Sequence, residues 1–409
     1  MSEWKEYGLN EIASFSQGKQ IPVSEQFENK LLELDRFIRI VDFTSDWTQP
    51  PRYVKKDDKY KVGKNDIVML RYGTPGKVFR GHEGIIANNM FKISPDESIV
   101  TKEYLYWFLY QDSVYKILMA NQSSSTMPAI SFKMLSCINV KVPSFETQQH
   151  ISSFFDTLDE KIAVNKKICE NLEAQAQALF KHWFVDFAPF KDGKFVESEL
   201  GLIPEGLMYK RIEDMPHTLE TGKRPTGGVK GIDSGIPSIG AENIKGLGCY
   251  DFSKTKYVTE EFASSMKKGI INGYELLIYK DGGKPGYFIP NFAIFGEGYP
   301  YDKMCLNEHV FKLDFGNKGY SLFAYFFFKT KQIMSYLNAQ GAKAAIPGIN
   351  SKDIDAIMMP SLDNECVKQY CSEVEDIITQ ILVLSKESSR LATLRDTLLP
   401  KLMSGQTKL

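Results

Sequence analysis

Two heptad-patterned stretches, each arriving at the end of a parallel series of short motifs, constrain this 409-residue chain more than any other feature. In the first, Ile151, Phe155, Leu158, Ile162, Asn165, Cys169, Leu172, Ala176, Leu179 and Trp183 recur at alternating steps of four and three. In the second, Val367, Tyr370, Val374, Ile377, Ile381, Leu384, Ser388, Leu391, Arg395 and Leu398 do the same. A sustained repeat of this kind marks helices that bury a seam against another helix. The simplest partner for each is the other, and a two-fold repeat within one chain makes that pairing antiparallel. About 40 residues at ~1.5 Å each form a rod of roughly 60 Å. A helix pair used for homodimerisation is the rival reading. Phe154, Phe180 and Phe184 lie off the seam, available for core packing or for another subunit.

The motifs ahead of the helices also come twice. Trp4-Lys5-Glu6-Tyr7-Gly8-Leu9 leads to Gly18-Lys19-Gln20-Ile21-Pro22, and Tyr209-Lys210-Arg211-Ile212 leads to Gly222-Lys223-Arg224-Pro225. A Gly followed by a basic residue and a Pro marks a turn and a candidate position for φ > 0. Short β-like apolar runs leading to an acidic residue, Asp42 and Glu242, follow within Arg36–Phe43 and Ile236–Ile244. The clearest pair is Asp66–Gly76 and Glu275–Gly286, each a buried strand closing on a basic residue and a Gly/Pro turn. Neither copy has the GxxxxGK[ST] or GxGxxG spacing of a nucleotide loop. Instead the turns hold Arg71, Tyr72, Lys77, Lys280 and Lys284 at their edges.

A further strand pair, Asn88–Ile93 and Asn307–Leu313, precedes the aromatic helices Tyr104–Leu109 and Tyr320–Phe326. Their rings suit either packing against a sheet or stacking on bases. Polar loops at Gln122–Ser131 and Gln340–Asn350 then lead to Val142-Pro143-Ser144 and Met359-Pro360-Ser361, ahead of the two helices. Small residues in such loops fit a plain connection or a close backbone approach to a partner.

Length allows two or three domains, and a 43% hydrophobic, 25% charged composition is that of a globular protein with room for two cores. No window is apolar enough to span a membrane, and Met1–Glu6 has no basic segment leading into an apolar one, so neither a membrane segment nor a secretion signal is expected. The six cysteines form no CxxC pair and read as reduced thiols, and the five histidines form no HxxxH pair; no metal site is expected. A net charge of −1 argues against a generic polyanion binder, although residues 1–142 and 205–360 are each slightly basic. The [DN]PP[YF] tetrapeptide of amino-methyltransferases, the G-x-S-x-G elbow and H-E-x-x-H are all missing. The chain reads as non-catalytic.

In order and in duplicate, these motifs resemble the specificity (S) subunit of type I restriction–modification systems. The likeness rests on the paired Gly turns, the strand–Gly loops and the Pro-Ser start of each long helix. It also includes the segment Ser198–Gly206 and the terminal Leu398–Gly405, and it spans essentially the whole chain. The resemblance implies an α+β molecule: two pseudo-symmetric α/β target recognition domains, 1–145 and 205–360, separated by two long helices pairing as an antiparallel coiled coil. The helices are 146–187 and 361–409, and 188–204 is a linker. Each domain would read one half of a bipartite site in double-stranded DNA. The helices would fix the spacing and dock two methyltransferase (M) subunits, with restriction (R) subunits joining through the complex. S-adenosylmethionine, ATP and Mg²⁺ would then sit on the partners, with no cofactor in this chain, and the location would be a prokaryotic cytoplasm. Candidate DNA-facing residues are Lys19, Arg71, Tyr72, Lys77 and Gln122 in the first domain and Lys223, Arg224, Lys280, Lys284 and Lys343 in the second. The alternative is a pseudo-symmetric scaffold that binds only protein partners.

Overall fold

The computed structural model describes residues 4–44, 50–121, 129–282, 286–343 and 347–407. The chain divides into two compact units, residues 1–161 with 391–409 and residues 162–390, so each unit holds one lobe and part of both long helices.

In the first unit, Ile67–Leu70 is a strand buried on both faces. Side chains alternate across a strand: Ile67 and Met69 enter the core under the helices, while Val68 and Leu70 enter a second, smaller core. The strand belongs to an antiparallel sheet ordered Ala13–Gln17, Met90–Pro95, Ile67–Leu70, Val78–Phe79. A second sheet is ordered Arg52–Lys55, Leu34–Ile38, Gly84–Ile86, Lys61–Val62, with its middle pair parallel. Lys5–Gly8 pairs with Asn139–Val142, closing the lobe just before the first long helix.

The second unit repeats this plan. Its antiparallel sheet runs Thr218–Thr221, Val310–Asp314, Leu276–Tyr279, Phe292–Ala293. The mixed sheet runs Lys256–Val258, Ile236–Ile239, Cys305–Leu306, its last pair again parallel. Tyr209–Arg211 pairs with Met358–Pro360. Leu276 and Ile278 face the larger core and Leu277 the smaller one, as in the first copy. The repeat read from the motifs is thus a repeat of topology. Segment 188–204 contains a hairpin, Phe195–Ser198 with Gly201–Pro204.

The aromatic helices are packing elements. Lys102–Tyr110 is capped by Thr101, whose hydroxyl accepts from Tyr104 N–H, and Lys318–Phe328 by Asn317. Tyr104, Trp107, Phe323 and Phe326 are fully buried, which removes them from base stacking.

The long helices are Phe145–Phe184 and Glu365–Met403. In the second unit Tyr370 Oη donates to Ala176 O (3.0 Å), Cys169 Sγ to Ile381 O (3.6 Å) and Asn165 Nδ2 to Ser388 Oγ (3.3 Å). Partner numbers rise on one helix as they fall on the other, so the pairing is antiparallel. In the first unit Arg395 Nη1 meets Asp159 Oδ1 at 2.6 Å. Polar heptad positions therefore carry cross-helix bonds. Among the apolar ones Ile151, Phe155, Val374 and Ile381 are buried, and Leu158, Leu172, Leu179, Trp183, Ile377 and Leu398 pack against the cores from partly exposed positions. Ile162, Leu384 and Leu391 are half-buried. The off-seam rings are core residues: Phe180 and Phe184 pack on Phe323 and Tyr370. Fully burying one such side chain contributes about 1.5–3 kcal/mol. Gly405 takes φ +75 and ends the second helix against the indole of Trp4.

Candidate nucleic-acid interface

In both lobes the repeated motifs converge on one place, the end of the central strand of the antiparallel sheet. In the first, Arg71 N–H donates to Asn89 O (2.9 Å) and Arg71 O accepts from Ile130 N–H (3.2 Å). In the second, Lys280 N–H donates to His309 O (2.9 Å) and Lys280 O accepts from Ile349 N–H (2.8 Å). Three segments distant in sequence are thus tied together by the same two bonds in each lobe.

The Gly-basic turns join the cluster from the side. Gly18 N–H donates to Met90 O (3.0 Å), and Asn88 N–H donates to Lys19 O (3.0 Å). Gly222 N–H donates to Asn307 O (3.2 Å). The expected positive φ is absent at both glycines. They are glycine for a different reason: a Cβ at Gly18 would strike the carbonyls of Ile86 and Ala87, and one at Gly222 the carbonyl of Leu306. Close backbone approach excludes any side chain there.

An ion pair braces the base of each cluster. Asp66 accepts from Gly63 N–H (2.9 Å) and meets Lys92 Nζ (2.7 Å) and Lys102 Nζ (2.9 Å). Burial opposes its ionisation, but Lys92, the Gly63 N–H and Lys102 outweigh it and bring its pKa down to about 2. Glu275 does the same work in the second lobe, accepting from Asn272 N–H (2.8 Å) and Gly273 N–H (2.7 Å) with Lys312 Nζ 3.9 Å away.

The candidate cations differ in how much of their charge is already met. Lys19 Nζ lies 2.7 Å from Asp57 Oδ2. Lys77 is exposed, with Nζ 5.9 Å from the centre of the Tyr115 ring. The Arg71 guanidinium lies 5.2 Å from the centre of the half-buried Tyr72 ring. In the second lobe Arg224 Nε meets Glu308 Oε1 at 3.0 Å, and its Nη2 lies 3.0 Å from His309 Nε2. Lys280 Nζ donates to Glu308 O (3.4 Å) and stands 3.9 Å from Asp281 Oδ2. Lys223 is exposed, and Lys343 Nζ donates to Gln340 Oε1 (2.7 Å). Gln122 and Lys284 lie outside the described residues. The structure brings Arg71, Tyr72 and Lys19 to one cluster and Arg224, Lys280 and the Gly222–Lys223 turn to the other.

Sequence reasoning passed over Asn88, Asn89, Glu308 and His309, which sit at the centre of these clusters. They were visible as the residues heading a repeated strand, but nothing local marks them as neighbours of Arg71 or Lys280. Among the described residues no group of His, Cys, Asp and Glu is placed to hold a metal, and no helix is long and apolar enough to cross a membrane.

The described residues thus build an α/β lobe twice, each with a polar, cation-bearing loop cluster at the same topological position. Residues 1–174 match the family model described as the type I restriction modification DNA specificity domain. The chain is 25% identical to the type I restriction enzyme HindI specificity subunit of Haemophilus influenzae, over 99% of this chain and 100% of that one. It is 26% identical to the MjaIX specificity subunit of Methanocaldococcus jannaschii, over 84% of this chain and 78% of that one. The fold is shared with the crystal structure of a type I restriction–modification S subunit from M. genitalium (TM-score 0.54, 14% identity, 98% and 96% of the two chains). Along nearly its whole length the chain is thus similar to type I restriction enzyme specificity subunits.

Proposed function

We propose that this chain reads a bipartite site in double-stranded DNA, one half with each lobe, and performs no catalysis itself. The observation that carries the reading is the loop cluster built twice at the same topological position, with Arg71 in one copy and Lys280 in the other. Phosphate contacts from lysines and arginines would position each lobe, and side chains reaching base edges would specify sequence. Each long helix contributes residues to both units. A pair of such helices makes the gap between half-sites a geometric property of the protein. In this reading their surfaces dock two methyltransferase subunits, and restriction subunits join through the complex. S-adenosylmethionine, ATP and Mg²⁺ belong to those partners.

The test is a genome-wide map of methylated adenines in cells with and without the gene. Loss of one two-part motif is the expected result. An unchanged methylation pattern would remove the specificity role.

A further inference from the structure

The two clusters share a frame but hold different chemistry at matched positions. Arg71 corresponds to Lys280 and Asn89 to His309 through the same backbone hydrogen bond, and Ile130 corresponds to Ile349 through the next one. Strand register extends the match, since Leu70 faces Met90 as Tyr279 faces Val310. Tyr72 then matches Asp281, and Asn88 matches Glu308. Around these positions the frame is kept: Asp66 with Lys92 is repeated as Glu275 with Lys312, and Gly18 as Gly222. Side chains that change while the bonds holding their backbone stay the same are not there to hold the fold.

Their bonding state separates the lobes further. Among the described residues the Arg71 guanidinium makes no hydrogen bond or ion pair, and its Nε is shut from solvent without a partner. Asn89 Oδ1, on the residue that accepts the Arg71 N–H, is also buried and unpartnered. Leaving a buried polar group unsatisfied costs about 1–3 kcal/mol, recovered when a ligand supplies the partner. In the second lobe the matched residues are bound to one another, His309 Nδ1 to Asp281 Oδ1 at 2.5 Å and His309 Nε2 to Glu308 Oε1 at 3.3 Å, and the buried atom left without a partner is the second carboxylate oxygen of Glu308.

We infer that these four matched positions carry the discrimination between half-sites, and that Arg71 reads a guanine in the half-site of the first lobe. The inference rests on the DNA-reading function proposed above. A guanidinium presents a planar fork of donors that fits the O6 and N7 acceptors of guanine in the major groove. The Tyr72 ring beside it restrains the plane of the fork. Lysine at the matched position is a point charge without that fork, and the carboxylates of Asp281 and Glu308 are acceptors suited to a base amino group.

The full chain, in complex with its methyltransferase partner, methylates a library of duplexes with randomised half-sites, and the methylated sequences are read. The wild type selects guanine at one position of one half-site. Arg71→Ala and the charge-keeping Arg71→Lys each reduce that preference roughly 5- to 150-fold and leave the other half-site as it was. Arg71→Lys keeps the loop charged if Arg71→Ala fails to fold. Unchanged guanine preference in the variants, or an equal loss on every sequence, would overturn the inference while leaving the wider function standing. A wild-type complex selecting no two-part sequence would overturn both.

Discussion

Lys92 holds Asp66 across neighbouring strands, Nζ to Oδ2 at 2.7 Å, in a site where the carboxylate side chain is 13% exposed. The pair recurs as Lys312 with Glu275, where a buried lysine and carboxylate again join the same two strands. The folded pKa of Asp66, about 2, lies below its usual 3.8. Its contribution is therefore complete above pH 4 and is lost as pH falls toward 2. Asp66→Asn is expected to cost about 2 kcal/mol at neutral pH. Urea unfolding from pH 7 to pH 2 checks this: the gap between wild type and variant closes with acid. A gap that stays constant would show that the charge of Asp66 is not what stabilises.

Phe180 is fully buried against Phe184, Phe323 and Tyr370, whereas Val164 on the same helix is 53% exposed. Phe180→Ala is expected to destabilise the second unit by about 3–5 kcal/mol, from lost transfer energy and the cavity left behind. Val164→Ala should change unfolding by less than about 0.5 kcal/mol. Thermal or urea unfolding of both variants distinguishes a helix built into the lobe core from one merely lying beside it.

Gly18 tests the close approach of two backbones. Gly18→Ala drives a methyl group into the carbonyls of Ile86 and Ala87, with an expected cost of about 1–3 kcal/mol. Gly63→Ala is the control, since a Cβ there has its nearest neighbour, Asp66 Oδ2, 3.9 Å away. Equal stability of the two variants would remove the steric reason for Gly18.

Lys77, on the turn that follows strand Ile67–Leu70, and Lys223, beside Gly222, are exposed. Lys77→Gln and Lys223→Gln are each expected to lower the slope of log affinity against log salt by about 0.9 if each meets one phosphate. Lys19→Gln should have less effect, because Asp57 already neutralises Lys19 in the free protein. DNA binding by the assembled complex between 50 and 200 mM salt, roughly the range over which such slopes are read, gives these values. An unchanged slope for Lys77→Gln would take that loop out of the phosphate contacts.

The sequence by itself determined the duplication, the two long helices and the buried strands at Ile67 and Leu276, because each is written as a local period or an ordered run of motifs. It also marked Gly18 and Gly222 as special, although not why: φ is a property of one residue, whereas a carbonyl packed against a Cα belongs to a distant strand. Phe180 and Phe184 were visible as apolar residues off the seam, and only packing against Phe323 and Tyr370 made them core. The candidate interface was half legible. Its cations could be read from the turns, but Asn89 and His309 became its centre only once strand pairing brought them to Arg71 and Lys280. Tertiary structure alone decided which charges were already met, as with Lys19 by Asp57 and Arg224 by Glu308, since pairing depends on distance in space and leaves no trace in spacing along the chain.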